Sequence, residues 1–397
     1  MDPTTIVLLI VALAASLFAA WTIGAGSTGA TPFAPAVGAN AISIMQATFV
    51  VGVLGFAGAV LQGAAITETV GDGLIGEVSL SPLAATIALT IAAIYIAAGV
   101  FKGYPIATAF AITGSVVGVG LAMGGEPVWG TYAEIGAYWI LTPFFVAPVA
   151  YATTRLLRSE RVPEIAVVPI LAGIIGAIIA NIDFIVLGPP GEPSTLAAET
   201  ARVLPLPEVA SMGLATAALA GVLAAVLWRE TRIDPVRAER RFLLGLGALV
   251  AFTAGGGKVG LAVGPLLPLT EAVVEADMMI PVLVLGGIGI LAGSWMAATR
   301  MVKALSQDYA DLGPRRSIGV LVPSFAIAQF GILFGLPMSF NEIFISAIIG
   351  TGLAVGSAGV SGRKVGFTVL AWIGSLVFSL VVGYGAYALL STVTGIT

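Results

Sequence analysis

Two segments, GYPIATAFAITGSVVGVGLAMG at residues 103–124 and GLPMSFNEIFISAIIGTGLAVG at residues 335–356, align without a gap. Both begin with a glycine and a proline and end in glycine-spaced positions, at a constant offset of 232. The identical pairs are Gly103/Gly335, Pro105/Pro337, Gly118/Gly350, Gly120/Gly352, Leu121/Leu353, Ala122/Ala354 and Gly124/Gly356. Agreement over this length indicates an internal duplication.

The composition around this repeat is that of an integral membrane protein. Of 397 residues, 58% are apolar and only 10% are charged, against roughly a quarter charged in a soluble domain. Apolar runs of about 20 residues, each able to cross about 30 Å of hydrocarbon as a helix, recur along the chain. The predicted spans are 4–23, 42–64, 82–101, 104–123, 137–154, 164–187, 209–228, 242–263, 278–299, 317–334, 337–359 and 366–391. The expected fold is therefore all-α and polytopic, with about twelve transmembrane segments.

Basic residues predict the orientation of the chain. Fifteen of the 17 lysines and arginines fall in connections that follow odd-numbered spans, and only Arg202 and Lys258 do not. Because cytoplasmic connections carry the excess of Lys and Arg, these connections are expected to be cytoplasmic and both termini to lie outside. We expect a multi-pass protein of the plasma membrane.

The two copies are predicted to be inverted. They begin with spans 1 and 8, an odd number of crossings apart, and a weaker pair, AGSTGATPFAP (25–35) and GGGKVGLAVGP (255–265), supports the duplication. The expected division is residues 1–154 as the first inverted repeat, 155–241 as linking helices with basic loops, and 242–397 as the second repeat. Inverted repeats with interrupted helices are a signature of secondary transporters.

Glycine and proline predict four helix interruptions at paired positions. Pro105 and Pro337 each remove a backbone donor, and the glycine-rich stretches 24–35 and 253–265 are poor as continuous helices. Interrupted backbone at membrane depth is tolerated only where it lines a cavity or is buried in protein. Helix N-termini exposed there would favour an anion.

Several classes of function are disfavoured by what the sequence lacks. Cysteine and histidine are both absent, which removes disulfides, thiol nucleophiles and imidazole chemistry, including imidazole metal sites. No cofactor loop is recognisable, and we expect neither an enzyme nor a protein that needs a cofactor. No basic, aromatic soluble module is present for binding nucleic acid.

At these motifs the chain resembles the PiT family of inorganic phosphate transporters. That family carries, in each inverted half, a G-A-N-D-V-A-N motif and a later P-[IV]-S-T-T-H motif, followed by a glycine-spaced helix like GVGLAMG and GTGLAVG here. The stretch AFTAGGGKVGLAVGPL fits the second signature at framework positions. These are Phe252, Gly255, Val259, Ala262, Gly264, Pro265 and Leu266. The resemblance implies a PiT-like fold of two inverted repeats and phosphate transport.

Most of the motif residues that bind sodium or phosphate in the family are replaced by other residues in this chain. In the family, the motif aspartates help to coordinate sodium and the Ser/Thr hydroxyls hold phosphate, but both aspartates are missing here. The residues at or beside the motif positions, and therefore the substrate-binding candidates, are Ser27, Thr28, Thr31, Thr108, Gly257, Lys258, Ser339 and Asn341. Sodium coupling of the family type is therefore not expected, and no metal site is predicted.

Lys258 is the most informative of these candidates. A lysine near the bilayer centre costs roughly 2.5–3.5 kcal/mol on insertion scales, so it normally faces a cavity or a partner. Glu342 is the other charge placed deep in a span, and the two are expected at equivalent depths. Lys258 is hypothesised to attract an oxyanion and to exchange partners with Glu342, whose carboxylate could also carry a proton.

Two plainer interpretations stay open for these residues. Lys258 and Glu342 could form a static ion pair that only fixes the fold. The hydroxyl and amide side chains could instead bond the preceding helical turn.

The predicted function is a permease for inorganic phosphate that works by alternating access. The alternatives are a permease for sulfate or another small oxyanion, and a non-transporting membrane sensor or scaffold with a decayed site. The expected partners are the oxyanion and the lipid bilayer, with no nucleic acid. Protons as a coupling ion and a second copy of the chain, as a homodimer, are left open.

Overall fold

The computed structural model describes residues 3–160, 164–189, 193–307, 312–356 and 362–394. Within these residues, sixteen α-helices form the fold. They are α1 (Pro3–Ile23), α2 (Ala34–Gly38), α3 (Ile44–Gln62), α4 (Ala64–Asp72), α5 (Pro82–Lys102), α6 (Thr108–Ala122), α7 (Trp129–Leu157), α8 (Glu164–Ala180), α9 (Leu196–Val203), α10 (Glu208–Ile233), α11 (Pro235–Val263), α12 (Leu267–Val274), α13 (Met279–Gln307), α14 (Pro314–Leu333), α15 (Phe340–Ala354) and α16 (Gly362–Thr394). Two antiparallel pairs of two-residue strands join connections: β1 (Ile75–Gly76) with β2 (Glu126–Pro127), and β3 (Asp183–Phe184) with β4 (Ser194–Thr195).

The prediction of a polytopic helical fold is confirmed. Among the described residues, nine helices are long and apolar enough to cross a membrane, and three shorter apolar helices accompany them. Each of the twelve predicted spans coincides with one of these helices. Polar residues set several helix starts: the Ser43 hydroxyl accepts from the N–H of Gln46, and Asp234 caps the N–H of Arg237.

The duplicated segments share the same local structure. Gly103 and Gly335 adopt the left-handed conformation, with φ of 72° and 62°, which only glycine reaches without strain. In each case the following N–H bonds back across the turn, from Tyr104 to the Gly99 carbonyl and from Leu336 to the Gly331 carbonyl. This closing pattern satisfies carbonyls at a helix end. It ends α5 and α14 in the same way.

An extended segment follows each of these turns and leads into a short helix. The first extended segment (residues 104–107) precedes α6, and the second extended segment (residues 336–339) precedes α15. Both helices have 15 residues, about 22 Å at 1.5 Å per residue, which is shorter than the hydrocarbon core. We therefore call α6 and α15 the half-length helices. Two of the four predicted interruptions are thus observed.

The two extended segments start from opposite ends of the bundle. The first begins at Gly103, beside Ala304, at the end where Arg300 donates to the Phe101 carbonyl. The second begins at Gly335, whose neighbours are Thr69 and Ala65 near the end of α4. The half-length helices therefore run in opposite directions, and their N-termini point at each other across the interior.

The first glycine-rich stretch is also interrupted, as predicted. After α1, residues Gly24–Thr28 form one turn of π-helix, and α2 begins only at Ala34. The π-turn is buried throughout. π-turns of this kind are rare and frequently mark functional sites.

The interruption predicted at 253–265 is wrong for the glycine run itself. Helix α11 continues through it from Pro235 to Val263, and only the three residues Gly264–Leu266 form a 3₁₀ turn. These glycines do not break α11; they allow neighbouring helices to pack closely against it. A Cβ on Gly255 would lie 1.9 Å from the Gly55 carbonyl oxygen of α3, and one on Gly260 would lie 2.4 Å from the Thr67 nitrogen of α4. Close packing outweighs the low helix propensity of glycine.

Close glycine contacts also hold the half-length helices. Helix α6 packs along α16 and α15 packs along α7. A Cβ on Gly118 would meet the Leu380 carbonyl oxygen at 2.1 Å, and one on Gly350 would meet the Ala147 carbonyl oxygen at 2.0 Å. Each half-length helix therefore packs on the long helix that follows the other one in the chain. Helices α8 and α10 pack on each other, and α10 is largely exposed.

Alanine substitution in α11 tests the packing role of its glycine run. Gly255→Ala places a methyl group against the Gly55 backbone, so we expect it to destabilise the purified protein by about 1–3 kcal/mol and to lower its thermal unfolding midpoint. Gly245 lies in the same helix with no atom within 4 Å of its Cβ position. Gly245→Ala is the matched control and should leave the midpoint unchanged or raise it. Equal midpoints for both variants would contradict this packing role.

Candidate functional site

Four elements meet between the N-termini of α6 and α15. They are the π-turn Gly24–Thr28, the first extended segment with the start of α6, the middle of α11, and the second extended segment with the start of α15. Asn341, in the first turn of α15, joins three of them. Its amide nitrogen donates to the Ile106 carbonyl at 2.6 Å and lies 3.5 Å from the Gly26 carbonyl. One side chain therefore ties both half-length helices to the π-turn.

Lys258 supplies the positive charge of this junction. Its side chain is 0% exposed, and its ammonium group donates a hydrogen bond to the Thr108 hydroxyl at the start of α6. The Nζ atom also lies 5.9 Å from the centre of the Phe340 ring, a distance at which a cation–π attraction operates. The neighbouring Gly257 faces the second extended segment, with the Met338 sulfur 3.1 Å from its Cβ position. The charge thus touches both half-length helices.

Glu342 is the second buried charge, 4% exposed on the first turn of α15. In the part of the chain that the structure describes, no ion pair joins it to Lys258. The ammonium group is instead bonded to Thr108. The two opposite charges therefore lie in one buried region without contacting each other in this conformation.

The remaining predicted residues are all buried, but they differ in their bonding. Thr31 donates to the Ser27 carbonyl at 3.0 Å and Ser339 caps the N–H of Glu342, both local bonds to their own helical turn. Thr28 reaches the Ala254 carbonyl of α11 at 3.3 Å. The plainer reading, a local backbone bond, therefore describes Thr31 and Ser339 in this conformation.

Two polar atoms at the junction are buried without a hydrogen-bond partner among the described residues. They are the Ser27 hydroxyl oxygen and the Asn341 side-chain carbonyl oxygen. Leaving such groups unpaired typically costs about 1–3 kcal/mol each. Buried polar groups are almost always satisfied by protein, water or ligand. Because the two unpaired atoms lie on two of the elements that meet at this junction, they indicate a binding site for a polar solute.

The start of α6 adds donors to the same place. Ala107 occupies its N-cap position and provides no side-chain cap, and the first N–H groups of any helix lack an intrahelical acceptor. These donors and the positive end of the helix dipole lie beside the ammonium group of Lys258. An uncapped helix start, a hydroxyl and a buried cation together form a site suited to an oxyanion.

Sequence reasoning missed two residues that support this junction, Trp139 and Trp372. Their indole N–H groups donate to the carbonyls of Pro337 and Pro105, at 2.7 and 3.1 Å. The signal was present in the sequence, because YWI at 138–140 and AWI at 371–373 are 233 positions apart. That offset is one position longer than the offset of the glycine and proline pairs.

The fold and the junction define a polytopic helical membrane protein of the transporter class, with opposed half-length helices meeting in its interior. Comparison with known families narrows the class, since residues 23–383 match the phosphate transporter family. The chain therefore belongs to the phosphate transporter family. This confirms the resemblance to PiT transporters.

Individual relatives are similar along nearly the whole chain. A putative phosphate permease of Pyrococcus abyssi is 27% identical, with 94% of each chain covered. Inorganic phosphate transporter 2-1, chloroplastic, of Arabidopsis thaliana is 26% identical over 90% of this chain and 68% of its own length. A solved structure, the sodium-dependent phosphate transporter, matches with a TM-score of 0.83 and 22% identity, covering 98% of this chain and 100% of that one. This last similarity establishes the fold.

Proposed function

We propose that the protein is a secondary transporter that moves inorganic phosphate or a similar small oxyanion across the membrane by alternating access. The observation that carries the proposal is the fully buried ammonium group of Lys258, bonded to Thr108 beside the uncapped start of α6. Family membership supplies phosphate as the first substrate. Relatives named as phosphate transporters or permeases support the same choice.

The proposed binding residues form two groups. Thr108, Gly257, Lys258 and Asn341 lie at the junction of α6, α11 and α15, and Ser27 adds an unpartnered hydroxyl from the π-turn. Thr28, Thr31 and Ser339 are proposed to contribute after their present backbone bonds are released. A tetrahedral oxyanion has several acceptor oxygens, so it can use donors from both half-length helices at once.

The division of the chain is also proposed to follow the repeats. Residues 1–154 and 242–397 form the two inverted halves, and residues 155–241 link them. Reciprocal packing supports this division, because α6 and α15 enter from opposite ends and make equivalent glycine contacts. The peripheral α8 and α10, which pack mainly on each other, fit a linking role.

Coupling is proposed not to follow the sodium-dependent pattern of the family. The two motif aspartates that help to coordinate sodium in the family are replaced here by Thr28 and Lys258. The site has a cation in Lys258, and a sodium ion beside it would be repelled. Lys258 is proposed to take over the attraction of the anion, and Glu342 to exchange partners with it or to carry a proton.

Two alternatives remain as outcomes of the same experiments. Sulfate has the same tetrahedral shape as phosphate, and the hydroxyls with which the family holds phosphate are depleted here, since only Thr108 and Ser339 remain at those motif positions. A non-transporting sensor or scaffold would keep the helical frame and move neither anion. Uptake of each labelled anion into proteoliposomes separates the three.

Removing the Lys258 charge tests the central role of this residue. Lys258→Met keeps the length and apolar stem, so we expect a folded protein whose KM for phosphate uptake into proteoliposomes rises at least about tenfold, as loss of a charged hydrogen bond predicts. Lys102 is exposed at the end of α5, and Lys102→Met is the matched control with an unchanged KM. Wild-type uptake that survives Lys258→Met unaltered would refute the anion-binding role. No uptake of either anion by the wild type would favour the scaffold.

Ion replacement tests the coupling proposal. Phosphate uptake should change less than about twofold when external sodium is replaced by choline, and it should accelerate with an inward proton gradient. Glu342→Gln should abolish the response to the proton gradient while phosphate exchange at equal pH persists. Glu208→Gln, an exposed carboxylate on α10, serves as the control. An absolute requirement for sodium would rule out this coupling scheme.

Orientation in the plasma membrane is proposed from the charge asymmetry. The basic end of the bundle, where Arg240 donates to the Ala41 carbonyl and Arg300 to the Phe101 carbonyl, is assigned to the cytoplasm. Both termini are assigned to the outside. The assignment rests on the sequence pattern, and labelling can test it directly.

Cysteine labelling tests this orientation without background, because the chain contains no cysteine. Gly130 and Gly313 lie at opposite ends of the bundle, are exposed, and have open space at their Cβ positions. A membrane-impermeant maleimide applied to intact cells should label the Gly130→Cys variant and should label Gly313→Cys only after permeabilisation. The reverse pattern would invert the proposed topology.

A further inference from the structure

The two extended segments raise a hydrogen-bonding problem. Their backbone is neither helix nor sheet. The second segment is buried throughout, and the first is buried at Pro105 and Ala107. Backbone carbonyls in such a place need donors from side chains or neighbouring elements. The carbonyls of Pro105 and Pro337, which occupy equivalent positions in the two copies, both find a donor. In each case it is the indole N–H of a tryptophan.

The tryptophans act across the two copies. Trp139 lies on α7, which follows α6 in the chain, yet its indole donates to Pro337 before α15 at 2.7 Å. Trp372 lies on α16, which follows α15, yet its indole donates to Pro105 before α6 at 3.1 Å. Both indoles are buried. The glycine contacts follow the same crossed pattern, α6 on α16 and α15 on α7.

Both bonds end close to the proposed anion site. Pro105 is three residues before Thr108, which accepts the hydrogen bond from Lys258. Pro337 is four residues before Asn341, whose amide holds the Ile106 carbonyl. Trp139 also stacks on Phe110 of α6, with ring centres 3.9 Å apart. Its single side chain therefore contacts both α6 and the second extended segment.

We propose that Trp139 and Trp372 are positioning residues, each of which holds the substrate-binding N-terminus of the opposite repeat through a proline carbonyl. The proposal rests on the proposed function, in which these N-termini bind the oxyanion. Neither indole donates to the substrate, because its only N–H is already used by the backbone. Loss of one indole N–H frees the extended segment, displaces the donors of the half-length helix, and weakens substrate binding more than turnover.

Phenylalanine variants remove the N–H and keep an aromatic ring. We expect Trp139→Phe and Trp372→Phe each to raise the KM for phosphate uptake about fivefold or more, as expected for an unpaired buried carbonyl, with less than a twofold change in maximal rate. Trp295 makes the same type of bond, from its indole to the Phe49 carbonyl at 3.1 Å, at an exposed position on α13. Trp295→Phe is therefore the matched control, with both kinetic parameters unchanged. A purely structural role would lower the amount of folded protein and the maximal rate, and leave KM unchanged.

Amide hydrogen exchange gives a readout that does not depend on transport. Trp139→Phe should accelerate exchange at residues 340–344 of α15, and Trp372→Phe at residues 108–112 of α6, each at least about fivefold over the wild type. Acceleration in the variant's own repeat, or equal acceleration in Trp295→Phe, would overturn the crossed positioning. If the wild type transports no phosphate, the proposed function fails, while crossed acceleration still supports the structural part of the inference and its absence refutes it.

Discussion

Hydrocarbon offers no hydrogen bonds, and this constraint governs the interior of the protein. A charge or a non-helical peptide at membrane depth is tolerated only where it is buried in protein or faces a water-filled cavity. The ammonium group of Lys258 finds the Thr108 hydroxyl and the Phe340 ring. The extended segments that bring these two residues to it are held in turn by Asn341 and by two indoles. The charge and the irregular backbone therefore depend on each other.

Much of the fold was predictable because its signals are local or periodic. Apolar runs located all nine long and three shorter apolar helices of the described residues, and the paired prolines Pro105 and Pro337 predicted two interruptions that the structure shows. The glycine run at 255–257 was misjudged, because propensity describes an isolated helix. The contact between Gly255 and the Gly55 backbone depends on a partner helix that the sequence alone does not identify.

The candidate site was predictable in its members and less so in its bonding. The buried charge and the alignment with the family motifs identified Lys258, Thr108 and Asn341 as candidates. The structure places all three at one junction. The side chains of Thr31 and Ser339 bond to the backbone of their own helical turn, which alignment with the family motifs does not reveal. Trp139 and Trp372 were overlooked because their offset of 233 differs by one from the offset of the glycine and proline pairs, and because an indole bonded to a distant carbonyl has no local sequence signature.

The hydrogen bonds of Trp139 and Trp372 to the opposite repeat affect how the two halves would move under the proposed mechanism. If each repeat were self-contained, one half-length helix could shift while the other stayed in place. Here α7 holds the segment before α15 and α16 holds the segment before α6, so a rotation of either long helix displaces binding donors that belong to the opposite copy. Asn341 bridges the two. Such reciprocal holding favours movement of α6 together with α16, and of α15 together with α7, as two packed pairs.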